Sequence, residues 1–173
     1  MRSLFVVLLA SVAAACATTG ATPRPFPTPA APAGTAAPAP STDVVPSQDP
    51  YAISGTALSL RGAPYKNGGH DPVGFDCSGF VWYVFDQHGV RLPRTVTEQF
   101  RTGSPIGAAD LRPGDLVFFD TINGAPPNMA THVGISIGGD QFVHAPSTAG
   151  QVRVERLAST YWAPRFLGAR RVQ

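Results

Sequence analysis

Half of the chain's 18 prolines fall between positions 23 and 50, and this divides the sequence into a part that cannot fold and a part that can. Ala, Pro, Thr and Ser dominate residues 17–50. Such a segment cannot bury enough apolar surface to offset its chain entropy, and its prolines favour extended polyproline conformations. About 30 residues at ~3.1 Å each reach roughly 90 Å, the span of a passive tether. Residues 51–173 remain, the size of one ordinary domain.

The N-terminus explains what the tether is for. Met1-Arg2-Ser3 is a short basic start, followed by an apolar run from Leu4 to Ala15 that is too short to span a bilayer. Ala13-Ala14-Ala15-Cys16 closes it and resembles the lipobox of bacterial lipoproteins. The expected organisation is a lipoprotein-type signal peptide over 1–15, a lipidated Cys16 and tether over 16–50, and a folded domain over 51–173. The protein is then exported and lipid-anchored at a bacterial membrane, the outer membrane facing the periplasm. Paired cysteines form disulfides outside the cytosol. With Cys16 lipidated, Cys77, the other cysteine, keeps a free thiol.

Helices come first in the domain and strands later, which argues an α+β fold. Asp49-Pro50 reads as an N-cap and first helical position, with Ile53, Ala57 and Leu60 as the apolar stripe and Gly62 as the stop. Phe80, Val81, Val84 and Phe85 follow Cys77 at helical spacing, on one face, and this helix stops near Gly89. A short helix over 97–100 has Thr95 or Thr97 as its cap. Strands are expected over 115–120, 132–137, 141–145, 152–155 and 165–172. Gly138-Gly139-Asp140 is the hairpin turn between the second and third.

Cys77 lies at the first turn of its helix, where unpaired N–H groups and the helix dipole favour thiolate over thiol. A lowered thiol pKa and covalent catalysis are the expectations. A base is then needed. His88 sits three turns along the same helix and points the wrong way, and His70 is a loop residue. His132 and His144 lie on the two hairpin strands. A three-residue turn makes paired residue numbers sum to 278, so Gly134 faces His144 and His132 is its diagonal neighbour on one face. That face also carries Gly134 and Ser136, small enough for the Cys77 helix start to pack against it.

Six segments carry a family resemblance. They are Ala63-Pro64-Tyr65-Lys66-Asn67-Gly68-Gly69, Gly74-Phe75-Asp76-Cys77-Ser78-Gly79-Phe80-Val81, Leu92-Pro93-Arg94-Thr95, Pro113-Gly114-Asp115-Leu116-Val117-Phe118-Phe119, Thr131-His132-Val133-Gly134-Ile135 and Phe142-Val143-His144-Ala145-Pro146-Ser147. In this order and spacing they resemble the NlpC family of bacterial cell-wall cysteine peptidases. The resemblance implies a papain-like fold, with the nucleophile at a helix start packed on an antiparallel sheet. It implies a catalytic triad of Cys77, His132 and His144, with Tyr65 at the oxyanion. Asp76 and Ser78 match positions that bind a substrate's N-terminal amine in some members, though Asp76 also suits a plain helix cap, and Tyr65 a packed aromatic. The implied activity is hydrolysis of amide bonds in peptidoglycan stem peptides or their cross-links, by a monomer with no cofactor and no metal. The stretch 123–128 would shape the cleft near His132.

Two other functions fit the same residues. Cys77, His132 and His144 make a three-ligand zinc set with one open position, although no close-spaced ligand pair accompanies them. A non-catalytic wall-binding module is the other. Charge is sparse, at a net +2, and no basic stripe interleaves with aromatics, so nucleic acid is not an expected partner. Arg153, Arg156, Arg165, Arg170 and Arg171 read as solvated surface.

Overall fold

A computed structural model describes residues 49–122, 126 and 128–172. The signal peptide, Cys16 and nearly all of the tether lie outside the described residues, as do 123–125 and 127 of the 123–128 stretch. Among the described residues, no helix is long and apolar enough to cross a membrane.

Helix α1 spans Pro50–Ser59, and the Asp49 carboxylate caps it by accepting from the Tyr51 N–H. A two-residue hairpin follows, β1 (His70–Asp71) and β2 (Gly74–Phe75). Helix α2 is Cys77–Asp86. Helix α3 is Val96–Gln99, with Thr95 as its cap. Then come β3 (Ser104–Ile106), β4 (Leu116–Phe119), β5 (His132–Gly138), β6 (Gln141–His144), β7 (Arg153–Arg156) and β8 (Phe166–Arg171). Strands β3 to β8 form one antiparallel sheet in the order β3-β8-β4-β5-β6-β7. The α+β architecture of helices on an antiparallel sheet is as the sequence implies.

Both faces of the sheet are covered. On one, Phe80, Val81, Val84 and Phe85 of α2 pack with Ile53 and Ala57 of α1 against Leu116, Phe118, Val133, Ile135 and Val143. All four α2 residues are fully buried, and each contributes roughly 1.5–3 kcal/mol by leaving water. On the other face Val117, Phe119, Phe142, Trp162 and Ala169 form a second cluster. Strand β4 is apolar at every position because both of its faces are inside.

The β5–β6 hairpin fixes the site. Ile135 pairs with Val143 and Ser136 with Phe142, which gives the expected sum of 278. The register shifts near the turn, where Gly138 pairs with Gln141. A two-residue connection plus one bulged residue thus does the work of a three-residue turn, with Gly138 and Gly139 at φ 94° and 60°. Gly134 is also required for space. A Cβ there would lie 2.7 Å from the Phe142 ring and 3.2 Å from the His144 Cβ.

Candidate active site

Cys77 is the first residue of α2. Asp76 caps that helix with extended backbone, its carboxylate accepting from the Gly79 N–H at 2.7 Å. The thiol is half-buried, within reach of the backbone N–H groups of Ser78, Val133 and Cys77 itself. Val133 is available for a reason of strand geometry. Ser136 donates its N–H to the Asp115 carbonyl on the β4 side, so Val133, three residues away, directs its N–H toward β6. Pairing with β6 has stopped at Ile135. The thiol occupies the gap that this leaves, one residue from His132.

His132 and His144 share a sheet face, and Nε2 of His132 lies 2.7 Å from Nδ1 of His144. His144 is fully buried, and its Nε2 has no hydrogen-bond partner among the described residues. Trp162 stacks on the His132 ring at 5.4 Å and meets the His144 ring edge-on at 4.9 Å. Phe119 and Phe142 complete the enclosure. The cover on this face is therefore aromatic. The expectation that the Cys77 helix start packs there is corrected: α2 lies on the opposite face, and Cys77 reaches the sheet at the Val133 N–H. Periodicity groups residues by face but does not say which element meets which face.

The electrostatics also depart from expectation. Burial, and then the negative charge of Asp76, push the Cys77 thiol from 9.0 up to about 11, against the pull of its N–H contacts. Burial pushes His132 down to about 4. His144 is lowered by burial, then by His132 and Arg153. Desolvation thus outweighs the helix start, and the resting pair is neutral thiol and neutral imidazole rather than the expected lowered thiol. Burial, then the charges of Cys77 and Asp76, raise the Tyr65 hydroxyl. Tyr65 therefore stays a phenol and a hydrogen-bond donor beside the thiol.

Asp76 is held from several sides. Burial works to raise its pKa, but bonds from Arg94, Gly79 and Ser78 outweigh this and hold the carboxyl below its usual range. His70 packs edge-on against Trp82. Helix α2 ends at Asp86, so His88 lies in the turn beyond it rather than on the helix, and its ring bonds the Thr56 hydroxyl of α1 at 2.9 Å. Among the described residues, no group of three or more His, Cys, Asp or Glu is arranged to hold a metal. Two ring nitrogens that share a hydrogen bond cannot both face one ion, so the zinc reading gains no support from this geometry. Arg94 and Trp162 were not singled out from the sequence. Arg94 stands in one of the six segments, but its contact with Asp76 spans 18 residues and leaves no local pattern.

Comparisons with known proteins bear on the family and the fold. Residues 62–171 match the model of the NlpC/P60 family. Murein DD-endopeptidase MepH of Escherichia coli is 41% identical over 115 residues, covering 64% of this chain and 41% of that protein. Murein DD-endopeptidase MepS/Murein LD-carboxypeptidase of Escherichia coli is 41% identical over 113 residues, covering 65% and 57%. The chain thus spans less than two thirds of the length of these relatives. Among solved structures, an NlpC/P60 family protein from Bacillus cereus aligns with TM-score 0.68 and 31% identity, covering 73% of this chain and 41% of that one. The NlpC/p60 domain of peptidoglycan hydrolase SagA aligns with TM-score 0.62 and 33% identity, covering 72% and 99%. With residues 62–171 matched by the family model and the fold shared with its solved members, the chain belongs to the NlpC/P60 family.

Proposed function

We propose that this protein is a cysteine endopeptidase that hydrolyses amide bonds of peptidoglycan stem peptides or their cross-links. The observation that carries the reading is the 2.7 Å bond between His132 Nε2 and His144 Nδ1, beside a thiol at a helix start. With His132 Nε2–H donating to His144, Nδ1 of His132 is the free base. As substrate binds, the Cys77 thiol proton passes to that nitrogen and the sulfur bonds the scissile carbonyl carbon. The Cys77 N–H and the Tyr65 hydroxyl donate to the oxyanion. Collapse breaks the C–N bond, and the leaving amine takes the proton from His132. Water, deprotonated by His132, then cleaves the thioester and restores the thiol. His144 orients His132 and supports its cationic form. Asp76 and Ser78 are assigned to the substrate's free amine on the family resemblance alone.

The relatives' names support peptidoglycan as the polymer and leave the bond open. MepH is named a murein DD-endopeptidase, whereas a relative from Bacillus subtilis, 37% identical over 121 residues, is named a gamma-DL-glutamyl hydrolase. Digestion of purified sacculi with mass spectrometry of the released fragments tests the reading and identifies the bond. The enzyme works as an exported monomer. Its lipid on Cys16 holds it at the outer membrane, and the Pro-rich tether lets the domain reach the wall.

A further inference from the structure

We propose that Arg94 is a positioning residue of this active site, which clamps the Asp76 cap and screens its carboxylate from the Cys77 thiolate as that thiolate forms. The inference rests on the cysteine-nucleophile reading above.

The argument begins with a conflict. Asp is among the best N-caps, but at this position its negative charge sits beside the nucleophile and opposes the thiolate. Asn or Ser would cap without a charge. Here the charge is retained and paired. Arg94 Nη1 donates to Asp76 Oδ1 at 2.9 Å and Nη2 to Oδ2 at 2.7 Å, the two-pronged geometry that only a guanidinium supplies. The Asp76 side chain is 15% exposed and that of Arg94 36%, so solvent screens the pair less than it would on an open surface.

The same guanidinium also fixes the neighbours of the thiol. Nη1 donates to Ser78 Oγ at 2.9 Å and Nη2 to the Gly69 carbonyl at 3.1 Å. It therefore grips the residues on both sides of Cys77 and the loop before them. Buried Gln99 holds the segment that carries Arg94, donating to the Ser78 carbonyl at 3.0 Å and the Pro93 carbonyl at 2.9 Å. Tyr65, before β1, also interacts with the thiol, and in the proposed mechanism His132 on β5 faces it, with His144 of β6 behind. All three are neutral at pH 7. Of these groups and the cap pair, Asp76 and Arg94 bring the fixed charges.

The test is the pH profile of iodoacetamide alkylation at Cys77, read by peptide mass spectrometry on the full chain. Four proteins are compared: wild type, Arg94→Met, Asp76→Asn and the double variant. Arg94→Met should move the profile to higher pH by about one unit, an approximately tenfold slower reaction at fixed pH. Asp76→Asn keeps the cap, removes the charge, and should react faster than wild type at the same pH. The double variant should recover at least the wild-type rate, which loss of a merely structural contact would not allow. A profile for Arg94→Met that superimposes on wild type, or a double variant no faster than Arg94→Met, overturns the proposal. If Arg94→Met does not fold, Asp76→Asn still decides: a rate equal to or below wild type overturns it. Failure of the nucleophile reading shows separately, as sacculus digestion that survives Cys77→Ala.

Discussion

Nε2 of His132 and Nδ1 of His144 are 2.7 Å apart, with the two ring planes at 88°. A hydrogen bond between two imidazoles fixes their relative orientation, and the proposed mechanism sets its direction. With His144 accepting, His132 must carry its proton on Nε2 and present a bare Nδ1.

Replacement of His144 should therefore damage turnover without abolishing it. His144→Ala should lower kcat/KM on purified muropeptides by roughly ten- to ten-thousand-fold, the range of orienting residues in other triads. His144→Gln keeps an acceptor and should retain more activity than His144→Ala. Equal losses in the two variants would show that the acceptor does nothing for His132.

The pH dependence of the thiol follows from its burial. Only the thiolate is alkylated, and the Cys77 pKa is pushed up to about 11. Without substrate, the alkylation rate should climb about tenfold per pH unit from neutral into the alkaline range. A plateau reached below pH 8 would mean that a thiolate–imidazolium pair already exists at rest.

Acid should unfold the domain through its histidines. His132 titrates near 4 in the fold against an ordinary 6.5, so below 6.5 the unfolded chain binds the proton first. Stability is fully present above pH 6.5 and is lost as pH falls toward 4, by about 3 kcal/mol for His132. His144 is lowered as well and adds to the loss. Urea midpoints at pH 7 and pH 4.5 measure this. His144→Gln should lose less than wild type between the two, and an equal loss would assign the acid sensitivity elsewhere.

Much of this arrangement was legible because it is local and periodic. The α2 stripe at Phe80, Val81, Val84 and Phe85 is spaced for one helix face, and all four are buried. The hairpin register followed from the turn residues, although a bulge supplied the third position. Strand β3 was missed because its three residues include Pro105, which suits an edge strand and breaks the pattern. The β1–β2 hairpin is two residues a side, too short for alternation to register. The Arg94–Asp76 pair and the Trp162 cover join residues far apart in sequence. Nor does the sequence state how deeply Cys77 is buried, and that depth reverses its expected pKa.

The anchor makes a separate prediction. In the proposed organisation, the lipid on Cys16 is what holds the tethered domain at a membrane. Cys16→Ala should move the protein from the membrane fraction to the soluble fraction. Retention of this variant through detergent-free washing would contradict the lipoprotein organisation.

The most direct test is digestion of purified sacculi by wild type and Cys77→Ala, each with and without a chelator. Wild type should release peptide fragments at the same rate in both conditions, and Cys77→Ala should release none. Full activity in Cys77→Ala, or wild-type activity lost on chelation and restored by zinc, would contradict nucleophilic catalysis by Cys77.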